Sequence, residues 1–107
     1  LAEIKEKSHG EQINELLSQA DPMVDQLNNL YKMFSTGVER LPPTAKRAQL
    51  ESIIARLAQI PKPNATYAFR VNALTLRVSA MKDKWDRMMR DIESGKIKPL
   101  IKRSGPR

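Results

Sequence analysis

The sequence predicts an all-α protein, an antiparallel coiled-coil hairpin of two long helices with a short third helix between them in the chain. Apolar residues fall at Ile13, Leu17, Ala20, Val24, Leu27, Tyr31, Phe34 and Val38, and again at Tyr67, Val71, Leu74, Val78, Met81, Trp85, Met88 and Ile92. Both runs step 4, 3, 4, 3, 4, 3, 4. A period of 3.5 gathers such residues into one narrow seam, the pattern of a helix packed against another helix. Aromatic residues are 5% and charged residues 29% of the 107, a balance that suits solvated helices better than an aromatic β core.

The first helix is expected over 11–38. Ser8-His9-Gly10-Glu11 has the spacing of a capping box, weakened by a glycine in the first turn. Asp21-Pro22 interrupts the run with a good N-cap and a residue that suits a first turn. The apolar phase nevertheless passes unbroken from Ala20 to Val24, so a kink near 21 is expected rather than a new helix. A second row, Leu16, Met23, Leu30 and Gly37, lies beside the seam. Part of it is expected to meet the short helix, with the rest uncovered.

Leu41-Pro42-Pro43 ends that segment, and Thr44 is the expected N-cap of a helix over 44–60. Its apolar face is Leu50, Ile53, Ile54, Leu57 and Ile60. Pro61 and Pro63 close it, and Asn64 is placed to cap the last helix, 64–94. Ser94-Gly95 supplies a stop, with Lys96 and Lys98 suited to the negative end of the helix dipole. Phe69 and Leu76, one heptad apart and off the seam, are expected to receive the short helix.

Two arrangements satisfy these elements. The antiparallel hairpin closes every seam layer within one chain, and it is favoured here. The alternative is an up-down-up three-helix bundle with parallel long helices. That bundle is expected to leave 13–24 and 81–92 unpaired and in need of a partner chain. Trp85 is bulky for a two-helix layer, so it belongs at the seam's edge or in a wider, oligomeric core. Residues 1–10 read as a flexible N-terminal segment, 11–95 as the helical domain and 96–107 as a flexible basic tail. The chain opens on Leu1 and ends in linker-like sequence, as a fragment of a longer protein would.

The absence of cysteine excludes disulfides and thiolate metal clusters, and no apolar run is long enough to span a bilayer. His9, the one histidine, has no nucleophile placed with it. No metal-binding H-E-x-x-H, phosphate-binding glycine loop, G-x-S-x-G or calcium-loop spacing occurs. Asp83 and Asp86 share a helix face, but four bases surround them and suggest surface ion pairing rather than acid–base catalysis. The sequence therefore points to a non-enzyme with no metal and no cofactor.

Net charge is +7. Arg70, Arg77 and Lys84 recur every seven residues beside the seam, and Lys96, Lys98, Lys102 and Arg103 lie in a tail without acids. Together they make a candidate phosphate-tracking stripe. No nucleic-acid motif accompanies them, and few aromatics are free to stack on bases. Lys96 to Arg103 also mixes bases with aliphatics, but Pro99 spoils an amphipathic anchor, so membrane binding is disfavoured. Methionine is an adaptable contact residue. Leu16, Met23, Leu30, Trp85 and Met89 are accordingly the candidate partner-binding residues, for another protein or for a homodimer.

Phe34-Ser-Thr-Gly37-Val-Glu-Arg-Leu-Pro-Pro43, Asn64-Ala-Thr, Phe69-Arg70, Trp85-Asp-Arg87 and Ile92-Glu-Ser-Gly95 resemble segments of a group of small bacterial coiled-coil proteins with no assigned activity. The resemblance covers about residues 22–95. It implies a bacterial, cytoplasmic helical module and supplies no catalytic residues. The reading is a protein–protein interaction or scaffold module, with a nucleic-acid-binding accessory protein as the alternative.

Overall fold

The computed structural model describes residues 7–95 and contains three helices: α1 (His9–Thr36), α2 (Thr44–Gln59) and α3 (Ala65–Glu93). No strand occurs among the described residues. The all-α class holds.

Each helix end has a local cause. Ser8 caps α1: its hydroxyl accepts from the Glu11 N–H at 3.1 Å, and the Ser8 N–H donates to the Glu11 carboxylate at 3.1 Å. The capping box thus forms despite Gly10, and α1 starts two residues earlier than the apolar pattern implied. Pro22 sits inside α1 without ending it. At the far end Gly37 takes φ +88°, and the N–H groups of Gly37 and Val38 donate to Phe34 and Met33. This is a Schellman closure, and glycine accepts that left-handed φ without a Cβ penalty. Val38 therefore lies outside the helix and is exposed.

Thr44 is not the cap of α2; it is the first helical residue, behind Pro43, which offers no capping side chain. Asn64 caps α3 as its sequence position suggests, its side-chain oxygen accepting from Thr66 and Tyr67 N–H at 3.0 and 3.2 Å. Gly95, at φ +84°, follows the end of α3. The basic tail and residues 1–6 lie outside the described residues.

Cross-helix bonds fix the direction of packing. Arg70 of α3 donates to Asn14 of α1, Arg77 to Asp25, and Trp85 to Asn28. Positions rise together along both helices, so α1 and α3 run parallel. α2 runs back between them: Arg47 meets Asp86, and Glu51, one turn on, meets the earlier residue Lys82. The arrangement is therefore the up-down-up bundle, and the antiparallel pairing of the long helices is corrected. An antiparallel hairpin needs residues 39–44 stretched along the rods. Instead the Gly37 closure turns the chain at once, and two short links (37–43 and 60–64) reverse it twice.

Nor does the parallel bundle leave its seams open. Each seam residue of α1 has a counterpart 54 positions later in α3, so the two stripes are in register when parallel. Ile13, Leu17, Ala20, Val24 and Leu27 are all buried, as are Val71, Leu74, Val78 and Trp85. Leu50, Ile53 and Leu57 of α2 complete the core.

Candidate interaction surface

The candidate site begins with what α2 covers. A helix of 16 residues with one apolar face can fill only one groove of the α1/α3 pair. It fills the groove bounded by the second row of α1. Leu16 is buried, Met23 packs against the core, and Leu30 is half-buried beside Pro42, Pro43 and Lys46. Of the expected partner-binding residues, then, Leu16 and Trp85 are interior, and Met23, Leu30 and Met89 are half-buried. That row holds the bundle together instead of lying open.

Trp85 is the centre of the α2-covered interior. Its ring is 1% exposed and stacks on Tyr31 with centroids 5.0 Å apart and planes 16° apart. Its N–H donates to Asn28 at 2.8 Å, so the polar tip is satisfied. Arg47 of α2 lies over the ring at 5.8 Å and ties the three helices together. It donates to Tyr31 Oη and Glu51 at 3.1 Å each and meets Asp86 at 2.8 Å. The hydrogen bond with Asp86 raises the guanidinium pKa further and holds the Asp86 carboxyl below its ordinary value. The wide layer that Trp85 needs is thus made within one chain. No polar or charged side chain is buried among the described residues.

What α2 leaves uncovered is the outer face of α3. Phe69 is 73% exposed and Leu76 is 71% exposed. They do not receive the short helix, because α2 passes on the opposite side, where Glu51 and Ile54 lie near Val78 and Lys82. Ala73 and Ala80 are exposed as well. Positions 69, 73, 76 and 80 step 4, 3, 4 and form one continuous apolar stripe. Beside it, Leu17 and Asp21 of α1 and Phe69, Arg70, Ala73 and Arg77 of α3 line a groove of about 260 Å³.

The basic stripe forms the edge of this face, but it is not uniformly positive. Arg70 bonds the neutral Asn14 at 2.8 Å. Arg77 lies 3.0 Å from Asp25 and 3.6 Å from Asp21, so two carboxylates offset its charge. Lys84 is exposed and lines a groove with Lys32 and Asn28. Lys96, Lys98, Lys102 and Arg103 lie outside the described residues. His9 is an exposed first-turn residue, and Asp86 is engaged by Arg47. Among the described residues, no group of three or more His, Cys, Asp or Glu could hold a metal ion. No described helix is long and apolar enough to cross a membrane.

Periodicity places Phe69 and Leu76 on a second face of α3 but does not state on which side of α3 the short helix packs, so the expectation that they receive α2 is corrected. One signal pointed the other way: α2 has a single apolar face, already needed to cover Leu16, Met23 and Leu30. Comparison with protein-family models, with curated proteins and with solved structures finds no match for this chain.

Proposed function

We propose that this chain is a non-enzymatic helical interaction module that docks a helix on the outer face of α3. One observation supports this reading above the rest: Phe69 and Leu76 stand exposed in one row on α3, whereas the other exposed large apolar residues, Val38 and Leu41, lie in the link between α1 and α2. Exposed apolar side chains in a continuous row mark a contact surface more often than scattered single ones do. The spacing suits an apolar helix laid along α3, which reads anchors at every third or fourth position. The docking face thus moves from the Leu16 row, now occupied by α2, to Phe69 and Leu76. A scaffold role in a bacterial cytoplasm is part of the same proposal, on the strength of the resemblance noted above.

The test is affinity capture from a native cell extract with and without nuclease, using wild type and Leu76→Glu. Nuclease-resistant capture that Leu76→Glu abolishes, with helicity retained, supports the reading. Nuclease-sensitive capture indifferent to Leu76→Glu overturns it in favour of nucleic acid.

A further inference from the structure

We infer that the occupant of the α3 stripe is a second copy of this chain, packed antiparallel across a twofold axis near residues 74 and 75. This rests on the docking reading above and names its partner. The stripe alternates large and small: Phe69, Ala73, Leu76, Ala80. In an antiparallel pair Ala73 meets Leu76 of the second copy, and Phe69 meets Ala80. Both pairs recur by symmetry, so every layer sets a large side chain against a small one, the combination that interdigitates. A parallel pair would set Phe69 on Phe69 and alanine on alanine, with one layer crowded and the next empty. Isologous twofold contact is also the commonest way for like chains to associate.

Charge follows the same register. Arg70 of one copy comes beside Arg77 of the other, which on its own would be repulsive. But Arg77 already carries Asp21 and Asp25, whose side chains remain 62% and 74% exposed. That cluster has a net negative charge. Arg70 holds only a neutral amide in its own chain. Each copy therefore presents an arginine without a carboxylate and a carboxylate pair with charge to spare. The antiparallel register brings the two together on both sides of the axis. The groove lined by Phe69, Arg70, Ala73 and Arg77 lies beside this contact and is open to an incoming leucine.

Such a contact is small, below about 1,200 Å² in total, and belongs to the weak and transient class. Sedimentation equilibrium of the full chain from about 10 µM to about 1 mM brackets the affinities of that class. The expected result is reversible dimerisation. Leu76→Glu should abolish it, and Arg70→Glu should weaken it at least about tenfold by setting three carboxylates together. The chain has no native cysteine, so orientation is read directly. A mixture of Ala73→Cys and Leu76→Cys chains should form disulfide dimers faster than either variant alone. A wild type monomeric throughout the range, or cross-linking no faster in the mixture, overturns the inference. If capture of another protein still depends on Leu76, the docking reading survives that failure; if capture ignores Leu76, both fall.

Discussion

Tyr31 and Trp85, in the matching seam positions of α1 and α3, stack at 5.0 Å with their rings 16° from parallel. With Asn14–Arg70 and Asp25–Arg77 the stack makes a series of contacts whose positions rise together along both helices, which only long helices running in the same direction can form. The stack therefore records the topology as well as filling the core. Arg47 reaches it from α2, so one layer engages all three helices.

Trp85→Ala should be the most damaging single substitution. It removes the largest fully buried side chain and leaves Asn28 and Arg47 without their aromatic partner. The expected loss is about 3–5 kcal/mol. Urea denaturation followed by circular dichroism measures it. A loss below about 1 kcal/mol would mean that the layer is not packed as described.

Arg47 and Asp86 predict an acid-side dependence. The folded-state pKa of Asp86 lies below its unfolded value because Arg47 bonds the carboxylate. Its contribution is then fully present above the unfolded value, about 3.9. It is lost as pH falls through the lower folded value. Glu11, held down by the Ser8 N–H and hydroxyl, has the same sign. Asp86→Asn should therefore flatten stability against pH below about pH 4 while changing its slope little near neutrality. Arg47→Ala, which strips partners from Asp86, Glu51 and Tyr31 together, should cost about 1.5–3 kcal/mol at pH 7.

Gly10 tests the register of the helix starts. A Cβ built there would lie 2.6 Å from the Tyr67 hydroxyl oxygen and 2.9 Å from Cζ of its ring. Alanine would otherwise favour the helix by up to about 1 kcal/mol. Gly10→Ala should thus be less favourable in the wild type, where the Tyr67 ring must shift, than in a Tyr67→Ala background. A double-mutant cycle should return a coupling of about 1–3 kcal/mol. Additive effects would place the two helix starts apart.

Pro22 is exposed within α1 and cannot donate to the carbonyl four residues earlier. An interior proline costs a helix up to about 3 kcal/mol against alanine, and less where the surrounding turn accommodates it as a first turn would. Pro22→Ala should therefore raise stability by up to about 3 kcal/mol in thermal or urea unfolding. A neutral result would show that Asp21-Pro22 acts as the start of a new first turn, where proline costs nothing.

Much of the fold was legible without coordinates. Seam residues recur at helical spacing, capping signals stand at Ser8 and Asn64, and proline marks both links, with glycine at the first. Each of these acts within a few residues, through backbone geometry and local hydrogen bonds. The candidate site was less legible. Burial of Leu16 and exposure of Phe69 depend on which side of the α1/α3 pair α2 chooses, and a helical pattern cannot state that choice. Arg47 was equally hidden, because its partners Tyr31 and Asp86 lie 16 and 39 positions away.

By itself, then, the sequence determined three helices, their approximate ends and two seams in matching phase. Tertiary structure alone decided that the seams meet in parallel, that α2 occupies the Leu16 side, and that Phe69 and Leu76 are left facing solvent. The physical reason is that periodicity specifies a face, whereas direction and neighbour follow from how far each link lets the chain travel before it turns. Here Gly37 turns it immediately.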